Sequence, residues 1–334
     1  MTVGVMRVFG FCCISGILLV ACGRRTQPRL EEVASFDTAG WAHDIALSDN
    51  ELYVSDRQGG FLLFDRSRGW TAPRIAAPVA DVISLAPNGG QPLLASRFDG
   101  LVLVSRDNNV VARYSNGDIA NAVAVRGNLA FAAYGLHGLV IARIKEDGIH
   151  VASELPSPGW SHDVKLWQDR ALLADWNYGL RVVNIANPER PVEVAVLPTP
   201  ATTISVSLRD MPAKPMAALA EGHAGIAIVS FDGSGRPSLQ GRHSLGLNPR
   251  DSPHPETGGW AHGIAWCGDY LFVANWKKGL AVLDVHDVRN PRPVLEHPTK
   301  GTSLAVAAEP ERDGSILVFL ADGEAGLRVI RFRP

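Results

Sequence analysis

The chain has almost no cysteine. Four occur in 334 residues: Cys12 and Cys13 lie inside an apolar N-terminal stretch, Cys22 closes it, and only Cys267 remains. A disulfide framework in the body of the chain is excluded, even in an oxidising compartment. Cys267, at the end of the run Ile264-Ala265-Trp266-Cys267, reads as a packed thiol and not a nucleophile. An excess of one charge is lacking too. The net charge is −2 and the basic residues are scattered, so there is no nucleic-acid footprint. Strong helical periodicity is absent after the N-terminal stretch. A nucleophile elbow, a phosphate loop, a dinucleotide fingerprint and a His-Glu-x-x-His motif are also missing. The isolated Ser-x-Gly and Gly-x-Gly runs are turn chemistry.

What the chain has is a period. A polar residue recurs at His43, Asp81, Asn121, His162, Thr202, His262 and Thr302, in steps of 38, 40, 41, 40, 60 and 40. Most copies continue apolar–small–apolar, as in Ile45-Ala46-Leu47 and Val123-Ala124-Val125. Each unit then shows a second strand ending in a polar residue, a glycine, and a third strand rich in Leu, Val and Ile. The glycines fall at 60, 100, 138, 179, 225, 279 and 326, which gives seven units. A fourth strand follows in most units, often after Pro. Four short strands every forty residues predict an all-β, seven-bladed β-propeller over 29–334, with the long step explained by an insertion at 246–258. The last unit stops after its third strand at Phe332. The missing fourth strand is available in Leu30-Glu31-Glu32-Val33-Ala34-Ser35-Phe36, so the spacing predicts a ring closed by the N-terminal strand, which removes two free sheet edges.

The N-terminus reads as a signal. Arg7 precedes an apolar stretch over 8–21 that is short for a membrane span. It ends in Leu19-Val20-Ala21-Cys22, which resembles the lipobox of bacterial lipoproteins. That resemblance implies a signal peptide at 1–21, a lipid on Cys22, a short tether over 22–28, and membrane attachment through the lipid. Gly23 in place of Asp favours the outer membrane by analogy, facing the periplasm or the surface. An ordinary signal with a chance cysteine is the alternative.

The third-strand phrases Leu180-Arg181-Val182-Val183-Asn184-Ile185 and Leu280-Ala281-Val282-Leu283-Asp284-Val285 are each followed by Asn-Pro and a further Pro. They resemble the LVIVD repeat family, clearly in units four and six and more weakly in the other five. The resemblance implies a β-propeller on a bacterial or archaeal surface and says little about a reaction.

Two polar rings are candidates for function. Besides the recurrent position, residues four before each glycine are polar: Asp56, Ser96, Tyr134, Asp175, Glu221, Asn275 and Asp322. Both rings are expected at one wet mouth of the channel. His43, His162 and His262 share the phrase Gly-Trp-x-His, and each stands thirteen residues before Asp56, Asp175 or Asn275. Neighbouring strands would let each imidazole donate to that carboxylate or amide, the pattern that orients metal-bound histidines. One reading is a transition-metal centre, Zn or Fe, held by the three histidines, with Asp81 as a fourth group. Another is purely structural, with the Trp filling a wedge between blades and the His tying down a strand. A third is a non-metal polar ligand, for which Asn121 and Glu221 are further candidates. Trp176 and Trp276, in the second-strand turns, are candidates for gripping a sugar or a protein, or for packing under the loop. The 246–258 insertion reads as a lid over the mouth or an idle loop. The expected role is binding of a small polar ligand or an envelope protein through the mouth, with a metal-dependent enzyme as the rival. A structural envelope scaffold is the third class.

Overall fold

The computed structural model describes residues 27–71, 73–76, 79–209, 215–245 and 259–334. The signal stretch, Cys22 and the 246–258 insertion lie outside the described residues. Among the described residues the strands form seven four-stranded antiparallel sheets, six of them built from consecutive strands. The innermost strands are Ala42–Leu47, Val82–Ala86, Ala122–Arg126, Asp163–Trp167, Ser205–Arg209, Gly263–Cys267 and Ala305–Pro310. They define blades one to seven. Among the described residues no helix is long and apolar enough to cross a membrane.

The middle strands read as continuous apolar runs, because each blade is covered on both faces by its neighbours. Leu172, Leu173, Ala174, Leu180, Val182 and Val183 of blade four are all fully buried. The core is divided among the seams. One cluster joins Leu93, Ala95 and Leu101 of blade two to Ala130, Ala132 and Val140 of blade three. Another joins Leu52, Val54 and Phe64 of blade one to Phe319, Leu327 and Val329 of blade seven. Burying each Val, Leu or Phe this way contributes roughly 1.5–3 kcal/mol.

The ring closes as expected. Arg29–Phe36 pairs antiparallel with Leu327–Arg333, from Arg29 opposite Arg333 to Phe36 opposite Leu327. The turn glycines show that this strand fills the ordinary fourth-strand place. All seven, from Gly60 to Gly326, have positive φ. A Cβ on Gly179 would lie 2.2 Å from the Leu197 carbonyl oxygen of its own fourth strand, and one on Gly326 would lie 2.1 Å from that of Phe36.

Candidate functional site

The channel ring follows from the seams. His43 Nδ1 lies 2.9 Å from the Ile83 carbonyl oxygen, His162 Nδ1 3.1 Å from that of Ile204, and His262 Nδ1 2.7 Å from that of Leu304. The backbone N–H groups of His162, Ile204, His262 and Leu304 each donate to the end of their own second strand, at Ala174, Ala220, Ala274 and Ala321. The equivalent positions are therefore His43, Ile83, Asn121, His162, Ile204, His262 and Leu304, and all seven line one cavity of about 270 Å³ in the channel. Three histidines alternate with three apolar residues, each His donating to the backbone of the apolar blade that follows it. Asn121 is the seventh member, and its Nδ2 donates to the Ser161 carbonyl at 2.8 Å.

This corrects three members of the expected ring. Asp81, Thr202 and Thr302 stand two residues before the true positions. Asp81 does not line the cavity with the histidines. It lies between two guanidiniums, with Arg57 Nε at 2.6 Å and Arg97 Nε at 3.3 Å. Thr302 is buried and reaches Glu324, and Thr202 lies against the Gly222 turn.

The second expected ring is not at a wet mouth. Asp56, Asp175, Glu221, Asn275 and Asp322 are at most 1% exposed. Nor do they hold the histidines. Ala42, not His43, is the register partner of Asp56; His43 sits at a register shift between Ala42 and Asp44 and turns its Nδ1 to Ile83 of the next blade. Asp56 instead accepts the Gly40 N–H at 3.0 Å. Asp175 accepts from Ser157 and from Ser161, the latter at 3.0 Å, and pairs with the buried Arg181 at 3.2 Å. Asp322 accepts from Thr299, Ser303 and the Gly301 N–H. These groups pin the loop that enters their own blade. Glu221 pairs with Arg242, and burial pushes its carboxyl up to about 7 despite that partner. Among the described residues Asn275 has no hydrogen-bond partner on either side-chain atom.

A carbonyl oxygen only accepts, so each histidine Nδ1 carries the proton and Nε2 is left bare on the neutral ring. The rings are neutral at physiological pH. Burial, then the other two histidines, then Arg57 push His43 from 6.5 down to about 3. Burial and His162 push His262 down to about 4. Burial lowers His162 as well. The ring centroids of His43 and His262 are 6.1 Å apart and those of His162 and His262 5.9 Å, both pairs nearly perpendicular. As they stand, no three His, Cys, Asp or Glu side chains among the described residues are close enough to hold a metal ion.

Trp176 and Trp276 do not simply pack under a loop. Their rings lie 5.6 and 5.5 Å from those of His162 and His262. Both residues have positive φ, 36° and 50°. Their backbone bridges Thr203 and Ser303 across the seam, the place held by Gly135, Gly222 and Gly323 at other seams. Those glycines have φ of 46°, 53° and 50°. Two tryptophans therefore stand where blades three, five and seven use glycine, in a conformation that costs a bulky residue on the order of 1 kcal/mol or more.

One residue deeper lies a layer the sequence reading did not single out: Asp44, Ser84, Asp163 and Ser205, with small Ala122, Gly263 and Ala305 between. Asp163 accepts from Ser205 Oγ at 3.1 Å and the Val206 N–H at 3.0 Å, and holds the Lys165 ammonium at 3.1 Å. Burial opposes the lysine's charge, but Asp163 and Asp44 outweigh it and raise its pKa, which favours the protonated ammonium. Burial pushes Asp44 up against Lys165 and Ser84. The repeated His-Asp dipeptides at 43–44 and 162–163 were the available signal.

An all-β disc of seven radial blades around a polar channel defines the class: a seven-bladed β-propeller. Solved propellers match it closely in fold. The Cps50 (Swd1) β-propeller domain of Myceliophteria thermophila superposes with a TM-score of 0.73 at 12% identity, covering 91% of this chain and 99% of that one. The WD40 repeats of RRP9 give 0.67 at 13% identity, covering 92% and 97%. U3-55K gives 0.67 at 12%, covering 92% and 98%. No curated protein matches the chain. Within this class, the LVIVD repeat model matches three stretches of the chain, residues 39–67, 158–199 and 258–294. Those are blades one, four and six, the three that carry the channel histidines, so blade one joins the two in which the sequence phrase was plainest.

Proposed function

We propose that this protein is a binding propeller whose channel mouth takes a small polar ligand or a projecting group of an envelope partner. The observation that carries this is the ring itself. Three neutral imidazoles, each fixed through Nδ1, leave their Nε2 atoms to a cavity large enough for a small group, beside two tryptophans in strained backbone. Imidazole signals of His43, His162 and His262, followed by NMR while small polar compounds are added, test it. A binder that shifts all three supports the reading. A specific ligand that leaves them unmoved overturns it.

A metal-dependent enzyme with a three-histidine centre is the second reading. The Nδ1–H to carbonyl anchoring favours it, because such a bond orients a metal-bound imidazole. Asp81 would have no part in it. Metal content of residues 23–334, compared with a His43→Ala/His162→Ala/His262→Ala variant, decides it: near one equivalent lost in the variant supports a centre, and none after reconstitution removes it. Attachment to the outer membrane through a lipid on Cys22 is proposed from the lipobox phrase. A Cys22→Ser variant that stays with the membrane would contradict it.

A further inference from the structure

The mouth is unusually one-sided in its hydrogen bonding. Each neutral imidazole has spent its single N–H on a carbonyl in the next blade, so all three offer the cavity only a lone pair. Ile83, Ile204 and Leu304, between them, have no polar side-chain atom. Asn121 has committed one N–H to Ser161. One layer deeper are Asp163, whose carboxylate holds the Lys165 ammonium, and Asp44, whose carboxyl burial pushes toward its neutral form. Flanking the ring are the indoles of Trp176 and Trp276, whose faces attract cations. Arg57, the cation that acts on His43, is tied to Asp81 at 2.6 Å. An anion entering here meets lone pairs and the Asp163 carboxylate.

We infer that the ligand of this mouth is a cation bearing N–H donors, an alkylammonium or guanidinium group directed at the bare Nε2 atoms of His43, His162 and His262. This rests on the reading of the mouth as the binding site. As they stand, no three His, Cys, Asp or Glu side chains among the described residues are close enough to hold a metal ion, whereas an N–H donor reaches its acceptor at about 2.9 Å. An ammonium group supplies three donors for three acceptors.

The test is calorimetric and NMR titration of the protein at pH 7.5 with n-butylammonium, n-butylguanidinium, tetramethylammonium, acetate and Zn²⁺. Expected is binding of butylammonium or butylguanidinium at least tenfold tighter than tetramethylammonium, with shifts of the three imidazoles. The first two arms separate the two donor cations. A His162→Leu/His262→Leu variant should lose at least tenfold. Should that variant fail to fold, the single variants His162→Gln and His262→Gln serve, each expected to weaken donor-cation binding several-fold at pH 7.5. Equal binding of tetramethylammonium, preference for acetate, or binding of Zn²⁺ alone overturns the cation-donor inference and leaves the mouth as the site. Imidazoles that respond to nothing overturn both.

Discussion

The Nδ1–H of His262 donates to the backbone carbonyl of Leu304 at 2.7 Å, across the seam between blades six and seven. A side chain of one LVIVD repeat thereby satisfies the backbone of the repeat that follows. The same relation joins His43 to Ile83 and His162 to Ile204, so the candidate site and the ring's cohesion use the same three residues.

Removing one of these side chains should cost stability as well as binding. His262→Ala deletes the bond and leaves the Leu304 carbonyl without its partner, a loss of about 1–3 kcal/mol. Urea denaturation should show the midpoint falling with an unchanged slope. A variant as stable as the native protein would mean the contact holds nothing.

Acid should weaken the fold through the same groups. Free imidazole titrates near 6.5, and in the fold His43 and His262 are pushed down to about 3 and about 4. Between those values the unfolded chain binds more protons than the folded one, so stability rises with pH across that window. It should be full above pH 6.5 and be lost as the pH falls toward 4 and then 3. Melting temperatures at constant ionic strength check this. A flat profile from pH 7 to 4 would show that the histidines are not held neutral by the fold.

Trp176→Gly should cost far less than removing a buried tryptophan. Core Trp→Ala changes cost roughly 3–5 kcal/mol. Here glycine stands at the equivalent seam positions Gly135, Gly222 and Gly323, and the substitution releases a φ of 36°. The net loss should be within about 1 kcal/mol, while cation binding at the mouth falls several-fold. A loss of 3 kcal/mol or more would make the tryptophan a wedge between blades.

Closure can be tested at the N-terminal strand. Deleting residues 29–36 removes the partner of Leu327–Arg333 and the Phe36 ring, 4.9 Å from that of Phe64 in blade one. Blade seven is left with an exposed edge. The deletion should melt lower, less cooperatively, and with a tendency to associate on size exclusion. Native-like melting would mean that the ring does not depend on this strand.

The fold was legible in the sequence because it repeats: seven glycines mark seven turns that only positive φ allows, and the absent last strand matched the spare first one. The ring was less legible. The forty-residue step, followed by polarity, lands on Asp81, Thr202 and Thr302. Strand entries differ by two residues between blades, and the true positions are the apolar Ile83, Ile204 and Leu304. Nothing in an isoleucine announces that its carbonyl receives a histidine from the blade before. The thirteen-residue spacing of His43 and Asp56 does mark adjacent strands of one blade, but His43 turns to the Ile83 carbonyl of the next blade while Asp56 accepts from Gly40. Asp44 and Asp163 repeat visibly; what lines them up in the channel is strand register, which only the assembled disc displays.

The central claim is that three neutral histidines present bare Nε2 atoms to the channel. Long-range proton–nitrogen NMR of the imidazoles at pH 7 tests it directly. The expected result is a single tautomer for His43, His162 and His262, protonated at Nδ1 and unprotonated at Nε2. Rings protonated at Nε2, or doubly protonated at that pH, would contradict it.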